Sequence, residues 1–173
     1  QLANASKTVG SWDEVDLLYF ADSLGSMESD EVKRIVTIIK SNWDKALGVH
    51  AHNNKGWAVS NTLAAIENGV TWVDSTVLGM GRGAGNAATE ILLLELNQKF
   101  KMNYHPEALF DIVLKDFTPI QRQYNWGTNL LYHLAADNNI HPTYVQEMLA
   151  DDRYETEDIL QTIEFIKPMK SKS

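Results

Sequence analysis

Three times in succession, between residue 13 and about residue 100, a short apolar run is followed by a segment with helical periodicity. "VDLLYFADS" is a continuous apolar stretch of the kind expected for a strand buried on both faces. After the turn "LGSMESD", Ser29 is placed to cap a helix whose first turn carries Asp30 and Glu31. Val32, Ile35, Val36 and Ile39 then recur at helical spacing. "ALGVHAH" reads as the second strand, and "GWAVSNTLAAIENG" as the second helix, with Gly69 as its stop. "VTWVDSTV" is the third strand, followed by the glycine-rich "LGMGRGAGN" and a third helix, "AATEILLLELNQKF". Such alternation demands a parallel sheet with helical crossovers. A whole (β/α)₈ barrel takes about 250 residues, so at this level an open doubly wound sheet competes with part of a barrel.

From His105 onward no strand pattern returns. "HPEALFDIVLKDF", "NWGTNLLYHLAADNN", "HPTYVQEMLADD" and "ETEDILQTIEFIK" read as four short helices separated by proline, asparagine and glycine. The expected organisation is an α/β part over residues 1–103, an all-helical part over 104–167 and a disordered, lysine-rich tail over 168–173. The opening "QLANASKTVGSW" has no initiator methionine and already looks helical, so the chain is expected to be a piece of a longer protein.

Composition removes several classes of function. Fifteen basic against twenty-three acidic residues give a formal charge of −8, which disfavours non-specific binding to nucleic acid or anionic membranes. With no cysteine, disulfides, thiolate metal sites and a cysteine nucleophile are excluded. No apolar run approaches the roughly 20 residues of a membrane span, and no signal-peptide pattern is present. A soluble cytoplasmic protein is the expectation.

In parallel α/β folds, binding residues gather at the carboxyl ends of strands. Asp22 and Ser23, His50 and His52, and Asp74 and Thr76 sit there. Side chains two apart on a strand share a face, so His50 and His52 point one way and can reach one divalent ion; the plain alternative is an inert, hydrogen-bonded pair. In "GMGRGAGN", backbone N–H groups can approach an anion and Arg82 adds charge, or Asn86 simply caps the third helix. The loop is neither a P-loop nor a dinucleotide fingerprint. Asp22 and Asp74 can orient a ligand or merely bond nearby backbone. His105, His133 and His141 belong to no recognisable site.

Taken together, "YFADSLGSM", "GVHAHNNKGWAVSNTLAAIENGV" and "VDSTVLGMGRGAGNAATE" resemble the last three βα units of the HMG-CoA lyase-like, or DRE-TIM, metallolyase superfamily, most of all its 4-hydroxy-2-oxovalerate aldolase branch. The helical part resembles that branch's communication domain. The resemblance implies the end of a (β/α)₈ TIM barrel, incomplete here, followed by a small all-helical domain. It implies a divalent ion, Mn²⁺ or Mg²⁺, held by His50 and His52, whose Lewis acidity stabilises a pyruvate enolate. A further aspartate ligand and a catalytic arginine belong to strand 1, outside this chain, so the chain alone is expected to be inactive. Asn86 matches a position that ligates metal in some members and holds the loop in others. Ser23 matches a position that helps hold the keto-acid carboxylate, with Asp22 and Arg82 beside it. Tyr124 is the nearest match to a tyrosine that approaches the active site from the helical domain.

The implied reaction joins or splits pyruvate and an aldehyde through a 4-hydroxy-2-keto acid, and the charges of Arg82 and Lys55 suggest a polar or anionic aldehyde. The chain lacks the cysteine of HMG-CoA lyase. Ala51, Asn54 and "GRGAGN" depart from the H-C-H-N-D and G-E-R-A-G-N of isopropylmalate synthase-like enzymes, which leaves an acyl-CoA condensing synthase as the second enzymatic reading. An interaction module is the third, its helical domain docking an aldehyde dehydrogenase or a second copy.

Overall fold

The computed structural model describes residues 1–166; the expected tail over 168–173 lies outside them. The chain begins with α1 (Leu2–Gly10) and then alternates β1 (Leu17–Asp22), α2 (Ser29–Lys40), β2 (Ala46–Ala51), α3 (Ala58–Glu67), β3 (Trp72–Val73) and α4 (Thr89–Phe100). The strands form one parallel sheet in the order β1-β2-β3, with Ala21 opposite His50 and Gly48 opposite Trp72.

One face of this sheet carries the helices. Leu18, Phe20, Leu47, Val49 and Val73 pack against Val32, Val36 and Ile39 of α2, with Trp43 closing the cluster. Burying each large aliphatic side chain here stabilises the fold by roughly 1.5–3 kcal/mol before entropy is counted. The other face is open: Tyr19, Ala21, Trp72 and Asp74 are exposed. The first strand is therefore buried on one face only, contrary to the expectation from its unbroken apolar run. Its aromatic side chain still contributes to packing, because the Tyr19 ring lies where any Cβ on Gly48 would fall.

Three further local expectations are corrected. The third strand is two residues long; beyond it Ser75 shares a 2.9 Å hydroxyl contact with Thr89 of α4. Glu28, not Ser29, is the N-cap of α2; the Ser29 hydroxyl instead donates to Asn61 Oδ1 at 3.3 Å. Past residue 104, α5 (Glu107–Ile112) continues through a π turn (Val113–Phe117) into an unforeseen α6 (Thr118–Tyr124). Pro119 reads as a break, yet it stands in the first turn of α6, directly after the π turn that joins it to α5.

The remaining helices are α7 (Leu130–Asp137), α8 (Pro142–Leu149) and α9 (Thr156–Ile166). Asn129 caps α7 by accepting from the N–H groups of Leu131 and Tyr132, both at 3.0 Å. Leu131, Ala135, Val145, Ile159 and Ile163 form a second core, which also takes in Ala84 from the glycine-rich loop. This part thus docks on the strand-end loops. The Trp126 indole N–H donates to the Leu78 carbonyl at 3.0 Å, the Gly127 N–H to Gly83 at 3.1 Å and the Thr128 hydroxyl to Asn54 at 2.8 Å. Among the described residues no helix is long and apolar enough to cross a membrane.

Candidate functional site

The loops at the carboxyl ends of the strands are knitted by backbone and amide hydrogen bonds. The fully buried Asn54 donates its side-chain amide to the Leu24 carbonyl at 2.8 Å, and the Lys55 N–H reaches Gly25 at 3.1 Å. The Asn53 N–H donates to Gly85 at 2.9 Å, and His52 and Asn86 form an isolated antiparallel bridge. The residues flanking the two histidines are therefore tied to the loops before and after them. Imidazoles on such a scaffold keep their orientation.

His50 lies on β2 and His52 just past its end, on one face as the period of two requires. Their rings meet edge to face, with centroids 4.8 Å apart. His50 Nδ1 is 2.7 Å from Asp74 Oδ1 on the segment after β3. In the neutral ring that contact places the proton on Nδ1 and leaves Nε2 as a lone-pair donor, the carboxylate–histidine arrangement that orients metal ligands. Burial lowers the His52 pKa below the ordinary imidazole value, helped by His50 and Arg82 and opposed by the Asp22 and Asp74 carboxylates. The shift favours the neutral ring, the form in which an imidazole binds a metal.

This depression fixes the sign of a pH effect. The folded chain refuses a proton that the unfolded chain accepts, so His52 contributes stability above its unfolded pKa of about 6.5 and loses it as pH falls through the lowered folded value. Urea unfolding between about pH 5 and about pH 7 is expected to show stability rising with pH, and His52→Asn to flatten that slope. A slope unchanged in the variant would contradict the assignment.

Asn86 does not cap the third helix; Ala88 occupies the N-cap of α4. Its Nδ2 donates to the Met80 carbonyl at 3.2 Å, while its buried Oδ1 has no hydrogen-bond partner among the described residues. An unpaired buried carbonyl costs about 1–3 kcal/mol, a cost that a cation would remove. Two imidazoles and an amide oxygen on adjoining loops fit a divalent ion. Among the described residues no group of three or more His, Cys, Asp or Glu side chains gathers in ligand geometry.

The other residues singled out by sequence fall differently. Both Asp22 oxygens are taken by backbone, accepting from Ser26 N at 3.2 Å and Met27 N at 3.0 Å, so this buried carboxylate shapes the loop after β1. Ser23 and Arg82 line a cleft of about 170 Å³ together with His52, Asn54, His141 and Gln146. His141 was legible only as a helix start; nothing in "IHPTY" separates a capping histidine from a cleft-lining one. Lys55 is paired with Asp137 and lies 4.3 Å from the centroid of the Trp57 ring. Tyr124 ends α6 at 71% exposure and is not brought to the imidazoles. The next turn, including Asn125, Trp126 and Gly127, lines a separate cleft of about 440 Å³ with Asn53 and Asn86.

The chain is 49% identical over 81 residues to the 4-hydroxy-2-oxovalerate aldolase of Carboxydothermus hydrogenoformans, covering 47% of this chain and 24% of that one. The corresponding enzyme of Pelotomaculum thermopropionicum is 42% identical over 98 residues, covering 57% of this chain and 29% of that protein. The matches thus span under a third of the length of these curated relatives. Among solved structures, the N-terminal domain of a "putative aldolase" from Bacteroides vulgatus superposes with a TM-score of 0.78 at 33% identity, covering 91% of this chain and 52% of that one. The carboxyl transferase domain of Rhizobium etli pyruvate carboxylase shares the fold, with a TM-score of 0.68 at 15% identity, covering 87% of this chain and 26% of the other. The HMGL-like family model matches residues 1–113 and takes in all three strands, both histidines and the glycine-rich loop; the chain belongs to the HMGL-like family.

Proposed function

We propose that this chain forms the metal-binding wall of a divalent-metal-dependent aldolase that makes or splits a 4-hydroxy-2-keto acid into pyruvate and an aldehyde. The observation that carries the reading is the paired imidazole geometry: two rings in contact at the end of β2, one of them fixed by Asp74. The aldolase names of the relatives support the reaction class. In this reading residues 1–103 are the last three βα units of a (β/α)₈ barrel, and 104–167 form a helical domain that closes over its mouth.

His50 and His52 would hold the ion, Mn²⁺ or Mg²⁺, with Asn86 Oδ1 beside them. When bound, the ion supplies Lewis acidity at the keto oxygen of the substrate. The chain's own residues do the rest through position. Asp74 fixes the His50 ring, and the glycine-rich loop aligns Asn86. The docked helices supply one wall of the cleft through His141 and Gln146.

A protein carrying this chain within a complete barrel is expected to release pyruvate from a 4-hydroxy-2-keto acid only with a divalent ion present. Turnover untouched by chelation would overturn the proposal, as would turnover that survives His50→Ala with His52→Ala. The 173-residue chain alone is expected to give no turnover, because among its described residues no group of three or more His, Cys, Asp or Glu side chains gathers to hold the ion.

A further inference from the structure

We infer that the cleft beside His52 recognises an anionic group, a carboxylate or phosphate carried by the aldehyde half of the substrate, through Arg82 and His141. Assignment to the aldehyde half rests on the aldolase reading above; recognition of an anion stands on the cleft itself.

The cleft forms where the glycine-rich loop and the residue after β1 meet the start of α8. Its polar lining consists of donors and amides: Ser23, His52, Asn54, Arg82, His141 and Gln146, with no carboxylate. That is unexpected by chance in a chain where acidic residues outnumber basic ones by 23 to 15. Asp22 lies beneath, but its oxygens are spent on the Ser26 and Met27 N–H groups.

Arg82 is held without being neutralised. Its Nε donates to Gln146 Oε1 at 3.1 Å, which fixes one edge of the guanidinium and leaves the terminal N–H groups as a fork. Arg34 and Arg153 are each closed by a carboxylate at 2.6 Å, whereas among the described residues Arg82 pairs with none. A planar, pre-oriented fork of this kind matches a carboxylate or a phosphate.

His141 adds a second donor from the opposite wall. Its Nδ1 accepts from the Thr143 N–H at 3.3 Å, so the ring proton resides on Nε2. Lys55, the other cation near the mouth in sequence, is taken by Asp137 and the Trp57 ring. The selectivity therefore falls to Arg82 and His141. At about 170 Å³ the space suits one small charged group.

The test is isothermal titration of the 173-residue chain with inorganic phosphate, with malonate and with uncharged malonamide. Saturable binding is expected for at least one dianion and not for malonamide. Phosphate alone would indicate a phosphorylated aldehyde, and malonate alone a carboxylated one. Arg82→Gln is expected to weaken binding about tenfold and His141→Gln several-fold, in line with lost charge-assisted and neutral hydrogen bonds. Arg82→Lys should fall between, and Lys99→Gln, on α4 and paired with Glu67, should match the parent. Arg82 is exposed, so its variants should fold as the parent does, which circular dichroism checks. Gln146→Ala, which frees the fork, should weaken binding a few-fold. Absence of binding by either anion, or Arg82→Gln binding as tightly as the parent, would overturn the inference. Mn²⁺ titration of the same samples separates the two readings: ion binding without anion binding sinks this one alone, and the reverse sinks the metal site alone.

Discussion

Replacing His50 and His52 together with alanine is expected to remove saturable Mn²⁺ binding from this chain. The two rings are the described side chains set in contact on one strand face and free of a backbone role, with His50 Nε2 left open by the Asp74 contact. Asp74→Ala leaves both rings present but releases one of them, and is expected to weaken the ion by about 10- to 100-fold, the usual consequence of removing an outer partner. Titration calorimetry measures both. Equal affinity in the parent and the double variant would place the ion elsewhere.

Gly85→Ala is expected to destabilise the chain by about 3 kcal/mol, or roughly 6–12 °C in thermal midpoint for a chain of this size. Gly85 adopts φ +77°, and a Cβ there would overlap the Gly79 carbonyl oxygen, so backbone must move. That movement loosens the Asn53–Gly85 hydrogen bond and the Asn86 backbone next to it. Gly56 makes the comparison informative. It shares a left-handed φ of +78° but faces open space, with only the Thr128 methyl at 4.0 Å. Gly56→Ala should therefore cost only the conformational part, about 1–2 kcal/mol. Equal effects at the two positions would show that crowding in the glycine-rich loop contributes nothing.

The sequence made the α/β alternation legible because each strand is a short apolar run and each following helix repeats its apolar residues with the right period. Val32, Val36 and Ile39 fall in the core as that period requires. It misled at β1, where Tyr19 and Ala21 look as buried as Leu18 and Phe20; hydropathy does not reveal whether a second layer covers a sheet. It also missed α6, because proline reads as a break unless its place in the first turn is known.

For the site, alternation placed His50 and His52 on one face, and the resemblance supplied the idea of a metal. Asp74 as the partner of His50 was open, since a strand-end aspartate serves a ligand or a loop equally well; Asp22, three residues before Gly25, turned out to serve a loop. Two details of the site lay beyond sequence reasoning. His141 enters the cleft only because α8 packs across the glycine-rich loop, and the unpartnered oxygen of Asn86 exists only once its other amide atom has been committed to Met80. Both depend on tertiary contacts between segments far apart in the chain.

The central claim is that one face of β2 presents two imidazoles to one ion. Pulsed electron paramagnetic resonance of Mn²⁺ added to the chain tests it most directly, because nitrogen couplings report how many imidazoles the ion touches. Couplings from two imidazole nitrogens are predicted for the parent, from one in His50→Ala or His52→Ala, and from none in the double variant. A parent spectrum without nitrogen coupling, or couplings that persist in the double variant, would contradict the account.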